Sequence, residues 1–90
     1  MRTKQINPYF YSITADEVYT PDADTLSVIN NGDDDVKLTM NETSIVMKPG
    51  WDLSMDGGDD GCFKSPITIE FLGASKDLLI IEGRKVSLIN

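Results

Sequence analysis

The chain is 90 residues long, which is the size of a single domain. It contains no histidine and one cysteine, Cys62, which excludes the Ser-His and Cys-His pairs of nucleophilic enzymes and any disulfide within the chain. Fifteen acidic and eight basic side chains give a net charge of −7, and this disfavours nucleic acid as a partner because phosphate binding needs clustered lysine and arginine. We therefore expect a protein that is not an enzyme and uses no cofactor.

The N-terminal twelve residues are basic, because they include Arg2 and Lys4 and no acid. They also carry an aromatic group formed by Tyr9, Phe10 and Tyr11. In an extended segment the two tyrosines face one way and the phenylalanine the other. Two interpretations are open: the segment is the first strand of the domain's own sheet, or it is an arm that adds to a neighbouring protein.

One short segment has a weak signal for helix. The spacing from Thr14 to Glu17 matches a capping box, but Pro21 stops a helix after a turn or two. A short helical turn and a short strand through Val18 and Tyr19 both fit this stretch.

Apolar residues alternate with polar ones in several segments after residue 25, which indicates half-buried strands. The continuous apolar run 78–81 differs, and fits a central strand covered on both faces or covered on one face by a partner. The predicted core consists of the inward-facing members of these segments: Leu26, Val28, Val36, Leu38, Ile45, Ile67, Ile69, Phe71, Ile80, Val86 and Leu88.

Turn-forming pairs separate the strands. Asn31-Gly32, Asn41-Glu42 and Gly83-Arg84 are typical of two-residue hairpin loops, and Pro49-Gly50 of a type II turn. Strands divided at such short intervals predict an all-β fold, a small antiparallel β-sandwich or barrel of roughly six to eight strands. Residues 1–12 would be the basic arm or first strand of this fold, and the remainder, 13–90, a single β-domain.

Two acidic loops are candidates for calcium. Residues 56–61 resemble the start of an EF-hand loop, but its third and twelfth positions would be Gly58 and Ile67, so the pattern fails. A structural calcium ion between residues 33–35 and 56–60 would require both loops to lie at the same end of the sheet. Solvated turns without metal are the alternative.

Trp51, the only tryptophan, directly follows the Pro49-Gly50 turn and alternates in phase with Leu53 and Met55. Such a residue is typical of a core or core-edge aromatic. It also fits an anchor in a protein interface, or a platform on which a sugar ring stacks. Tyr9, Phe10, Tyr11 and Trp51 are therefore the candidate interface residues.

From residue 25 to the C-terminus the chain contains the segments VINNG, SIVMKPGW, ITIEF and LLIIEGRKVSLI in that order. In this arrangement it resembles small structural proteins of tailed bacteriophages, such as capsid decoration and auxiliary proteins and head-fibre or adaptor domains. The resemblance implies a virion protein, made in the host cytoplasm, that decorates or cements a capsid or joins virion components. Its partners would be other virion proteins and further copies of itself.

Other functions remain as alternatives. The KPG turn is shared with Ig-like adhesion modules, which suggests a carbohydrate-binding or adhesion module of a fibre. The acidic composition also fits a small inhibitor that binds one basic enzyme. A membrane role is not expected, because no stretch approaches the roughly 20 apolar residues that cross a bilayer and the N-terminus lacks the apolar core of a signal peptide.

Overall fold

A computed structural model describes the backbone of residues 2–58 and 61–89, with the side chains of residues 6–58 and 61–85. The described residues form eight strands in two four-stranded sheets, and every pairing is antiparallel. The fold is therefore the predicted all-β class, in its sandwich form. The strands are β1 (Arg2–Ile13), β2 (Glu17–Tyr19), β3 (Thr25–Asn30), β4 (Val36–Met40), β5 (Thr43–Met47), β6 (Asp52–Asp56), β7 (Ile67–Phe71) and β8 (Leu78–Ile89). Across these described ranges, no helix is long and apolar enough to span a membrane.

The edge strands of the two sheets lie along two sides of the sandwich. The first sheet has the order β1-β8-β3-β6 and the second has the order β2-β7-β4-β5. The edge strands β1 and β2 meet on one side, where the ring centroids of Tyr11 and Tyr19 are 5.7 Å apart. The edge strands β5 and β6 meet on the other side, where both line one cavity. We call these sides the β1–β2 seam and the β5–β6 seam.

The core lies between the sheets and confirms most of the predicted inward positions. Eight predicted residues are buried: Leu26, Val28, Val36, Leu38, Ile67, Ile69, Phe71 and Ile80. Ile13, Met47 and Leu78 join the same cluster. The predicted core positions Val86 and Leu88 lie outside the described side chains.

The predicted burial of Ile45 is wrong, since the side chain is 43% exposed. Its phase is correct, because Ile45 alternates with Met47, which is 2% exposed, and lines the space between the sheets. The reason is its position on β5, an edge strand that pairs only with β4 within the described residues. Alternation predicts the direction of a side chain and not whether another strand covers it.

Two of the predicted turns have the expected geometry. Asn41 and Glu42 join β4 to β5 and have φ values of 51° and 67°, the two positive angles that a type I′ hairpin requires. Gly50 has φ of 81°, and the Trp51 N–H donates to the Lys48 carbonyl at 3.0 Å, as in a type II turn.

The two other predicted turns are wrong. Asn31-Gly32 does not close a hairpin, because β3 and β4 belong to different sheets and this segment crosses between them. Gly83-Arg84 lies inside β8, where Gly83 is opposite Pro8 of β1 and Thr25 of β3. A Cβ at residue 83 would collide with the Thr25 hydroxyl, so close approach between strands, and not a turn, requires this glycine.

The N-terminal segment is a strand of the domain's own sheet and continues beyond the sandwich. β1 and β8 pair from Arg2 opposite Ile89 to Ile13 opposite Leu78, whereas β3 pairs with β8 only over residues 78–83. The two strands therefore extend as a two-stranded ribbon about 20 Å long, at the usual rise per residue. This makes the molecule elongated, with extents of 50 × 24 × 17 Å.

The apolar run of β8 is a central strand, flanked by β1 and β3. Leu78 and Ile80 are fully buried, while Leu79 and Ile81 on the outer face are only partly covered. The residues after Thr14 form the short strand β2, so the strand interpretation of Val18 and Tyr19 is confirmed and the helical turn is wrong.

Candidate functional site

An apolar groove runs along the β5–β6 seam. It encloses a cavity of about 160 Å³ whose walls come from both sheets. All lining side chains are apolar except one threonine: Val28, Leu38, Met40, Thr43, Ile45, Leu53, Met55 and Ile67. None of these side chains titrates or carries a nucleophile suited to catalysis, so the chemistry that this groove supports is the burial of apolar groups.

The groove lies where two edge strands border the space between the sheets without covering it. β5 exposes four of its five residues, and Leu53 and Met55 of β6 are only partly buried. Their β3 partners, Val28 and Leu26, are each 1% exposed, so the same sheet face passes from core to open groove within one strand. Met55 adds a flexible, polarizable side chain that adapts to different contacts.

Trp51 lies just before β6 and is 53% exposed, so its interpretation as a core aromatic is wrong. It stands two residues before Leu53, which lines the groove, and has the same phase in the alternating pattern. Its backbone is fixed on both sides: the N–H donates to Lys48, and the carbonyl accepts from the Asn30 N–H at 3.0 Å. Trp51 is thus an exposed indole on a firmly held backbone, which fits its interpretation as an anchor.

Asn30 holds this end of the sandwich together. The side chain is 1% exposed and makes three hydrogen bonds, donating to the carbonyls of Met47 (3.0 Å) and Asp34 (2.9 Å) and accepting from Gly32 (3.0 Å). Its carbonyl also accepts from Gly50 at 2.9 Å. The end of β5 and the crossing segment are therefore joined through one buried amide, and the turn before Trp51 is bound to the backbone of the same residue.

The opposite β1–β2 seam is closed by a polar cluster. Glu82 is 2% exposed and accepts hydrogen bonds from the Tyr19 hydroxyl and from Arg84, whose Nη2 lies 3.2 Å away. The Arg84 guanidinium stacks over the Tyr9 ring at 4.2 Å and donates to the Asp22 carbonyl at 3.0 Å. The two partners stabilise the charge of the buried Glu82 carboxylate. Because Tyr19 belongs to β2 and Glu82 and Arg84 belong to β8, the same contacts join the two sheets along this seam.

Burial and the hydrogen bond to Glu82 raise the pKa of Tyr19 well above its ordinary value. Because the folded state resists deprotonation, the contribution of Tyr19 to stability is complete below about pH 10 and falls as the pH rises further. We expect the free energy of unfolding to fall between about pH 9.5 and 11, and to fall less steeply in Tyr19→Phe, as measured by urea unfolding at each pH. Equal slopes in the two proteins would contradict this role.

The structure separates the four candidate interface residues. Tyr9 and Tyr11 border the β1–β2 seam, and are 40% and 37% exposed. Phe10 is 65% exposed on the outer face of the first sheet, opposite Ile81. Trp51 lies by the far edge of that sheet, beside β6. The four residues therefore do not form one site.

The acidic loops have structural roles and do not meet. Asp34 accepts from the Ser75 N–H at 2.9 Å, and the Ser75 hydroxyl accepts from the Asp33 N–H at 2.8 Å. Asp56 is bound to Lys85 at 2.9 Å, and hydrogen bonds from Lys85 and Gly58 lower its pKa.

The first loop follows the end of β3, whereas the second follows the end of β6, which pairs with the start of β3. The two loops therefore lie at opposite ends of the sheet, and the prediction of a shared calcium site is wrong for the described residues. Residues 59 and 60 lie outside them. In the part of the chain that the structure describes, no three acidic or cysteine side chains are grouped to hold a metal ion.

The sequence pointed to Trp51 but not to the groove beside it. A signal was present, since in-phase apolar residues stand on both sides of the Pro49-Gly50 turn. That pattern predicts two inward-facing strands, and only the sheet order shows that both are edges.

No known protein family, curated protein or solved structure matches the chain.

Proposed function

We propose that this protein is a non-enzymatic structural component of a bacteriophage virion, which decorates or cements the capsid or joins components of the particle. The observation that carries the proposal is the apolar groove of the β5–β6 seam. A groove whose walls include a 43% exposed isoleucine and partly buried leucine and methionine is stabilised when another protein covers it.

The groove is suited to a protein partner because its rims are strand edges. Within the described residues, β5 pairs only with β4, and β6 only with β3. Each rim therefore offers backbone donors and acceptors to an added strand, while the apolar walls receive alternate side chains. Trp51, just before the start of β6, supplies an aromatic anchor of the kind that dominates binding energy in interfaces.

The assignment to a virion is supported by the resemblance of residues 25–90 to small structural proteins of tailed phages. The single small domain and the absence of histidine fit a component that is present in many copies and performs no chemistry. In such an assembly modest affinity at each copy is sufficient, because repeated contacts add avidity.

The test is whether the protein is part of purified particles from the culture that produces it. Particles would be separated on a density gradient, and the chain located by immunogold microscopy and counted by quantitative mass spectrometry. We expect the protein on the particles, with hundreds of copies per particle if it decorates the capsid, or a small fixed number set by ring symmetry if it is a connector. Its complete absence from particles would overturn the proposal.

A second candidate is a carbohydrate-binding module, favoured by one observation. The Trp51 indole is 53% exposed and is followed by the exposed Asp52, a pairing that suits stacking and hydrogen bonding to a sugar. Titration with a panel of glycans, read by Trp51 fluorescence, separates the candidates. A saturable change would favour the carbohydrate module, and no change favours the structural role.

A further inference from the structure

We infer that the β5–β6 seam of one copy is covered by the β1 edge of a second copy, so that the chain associates head to tail with itself. This inference rests on the proposed function, because it names the partner of the same groove. Three features of the chain support it: the difference between the two seams, the charges of the two sheet edges, and the exposed aromatic residues of β1.

The two seams differ in the way that a head-to-tail contact requires. The β5–β6 seam is open and apolar, with Ile45 43% exposed. The β1–β2 seam is already closed within the copy by Glu82, Arg84 and Tyr19. One side of the sandwich therefore lacks a cover, and the other presents a completed surface.

The two edges of the first sheet carry opposite charge. Residues 1–12, which contain all of β1 except its last residue, have two basic side chains and no acid, a charge of +2. Strand β6 has two aspartates, Asp52 and Asp56, and no base, a charge of −2, and Asp56 is already paired with Lys85. Opposite charges on facing strands favour pairing, whereas two β6 edges placed together would repel each other.

Strand β1 also offers apolar surface, at Phe10 on the outer face of the sheet and at Tyr9 and Tyr11 along the seam. Phe10 is 65% exposed, and Tyr9 and Tyr11 remain 40% and 37% exposed even after they pack on the β1–β2 seam. Within the described residues β1 pairs with β8 alone, so its other edge is open to a second copy. A contact between two different surfaces repeats from copy to copy, and gives a ring or an open filament according to the rotation at each step.

Two adjacent residues of β5 supply a matched pair of variants. Ile45 and Val46 are both 43% exposed, but Ile45 lines the groove and Val46 does not. We expect Ile45→Glu to weaken self-association by at least about tenfold and Val46→Glu to change it by less than about twofold. Sedimentation velocity of the full chain over a concentration series measures both, and circular dichroism verifies folding. If Ile45→Glu fails to fold, Thr43→Glu in the same groove replaces it.

A mixing experiment tests the direction of the contact. The double variant Arg2→Glu, Lys4→Glu reverses the charge of the β1 edge but keeps its groove, whereas Ile45→Glu keeps the β1 edge but loses the groove. Each variant alone should remain a single copy, and an equimolar mixture should form a two-copy complex and nothing larger. The wild-type chain should form larger species that dissociate with added salt.

Three results would overturn the inference. They are a wild-type chain that stays a single copy at all concentrations, equal masses for Ile45→Glu and Val46→Glu, and a mixture that remains single copies. Failure here is distinguishable from failure of the proposed function. A chain found on particles but unable to self-associate refutes only the inference, whereas self-association with no chain on particles refutes only the virion role.

Discussion

Phe71→Ala is expected to lower the free energy of unfolding by about 3–5 kcal/mol, the usual effect of removing a large aromatic side chain from a core. Phe71 is 7% exposed and ends β7, a central strand of the second sheet, where it pairs with Val36 of β4. The substitution leaves a cavity that the surrounding structure fills only in part. Urea unfolding followed by circular dichroism measures the change.

The neighbouring residue is the control for this substitution. Leu72 is 49% exposed, so Leu72→Ala should change the free energy of unfolding by no more than about 0.5 kcal/mol. If Phe71→Ala and Leu72→Ala have equal unfolding midpoints, the inward face assigned to β7 is incorrect.

Asn30→Ala is expected to destabilise the fold by a similar amount, about 3–5 kcal/mol, for a different reason. The buried amide serves Met47, Asp34 and Gly32, and its removal leaves these backbone groups without their partner in a site shielded from water. Each unsatisfied buried group costs about 1–3 kcal/mol. Chemical denaturation of both proteins gives the difference.

The adjacent amide provides the matched control, since Asn31 is exposed and Asn31→Ala should be close to neutral. The hydrogen bonds between Asn30 and residues Gly50 and Trp51 involve backbone groups, which Asn30→Ala keeps, so the expected loss comes from the side-chain amide alone. An Asn30→Ala protein as stable as the wild type would show that this amide does not organise the end of the sandwich.

Local patterns predicted most of the individual strands. The alternation in Ile67, Ile69 and Phe71 gave the correct inward face, and Asn41-Glu42 gave the correct hairpin. Both signals depend only on residues that are close together in the sequence, so they can be recognised without knowledge of the sheet order. The predictions that depended on sheet order, namely the burial of Ile45 and the turns at Asn31-Gly32 and Gly83-Arg84, were wrong.

The errors share one physical cause, which is that pairing between distant strands is not encoded locally. Ile45 has the phase of a core residue but lies on an edge strand. Gly83 has the composition of a turn but lies where β1, β8 and β3 approach closely. The same limit hid the groove, because two strands become its rims only through the order of the two sheets.

The sequence predicted Trp51 as a candidate contact residue, but it did not predict the exposure of the indole or the groove beside it. Its alternation with Leu53 and Met55 favours burial, but the indole is 53% exposed, because alternation predicts the direction of a side chain and not whether another strand covers it. The function of the N-terminal segment had the same ambiguity. Its pairing with β8 makes it a strand of the domain, and its outer edge still faces away from the sheet.

The central claim is that another protein covers the β5–β6 seam, and hydrogen exchange of the backbone amides tests it most directly. Exchange would be measured for the chain in its assembled form and for the single copy at high dilution. We expect the amides of β5 and β6 to exchange at least about tenfold more slowly in the assembly, with those of the buried strand β4 nearly unchanged. Equal exchange of β5 and β6 in the two states would contradict the account.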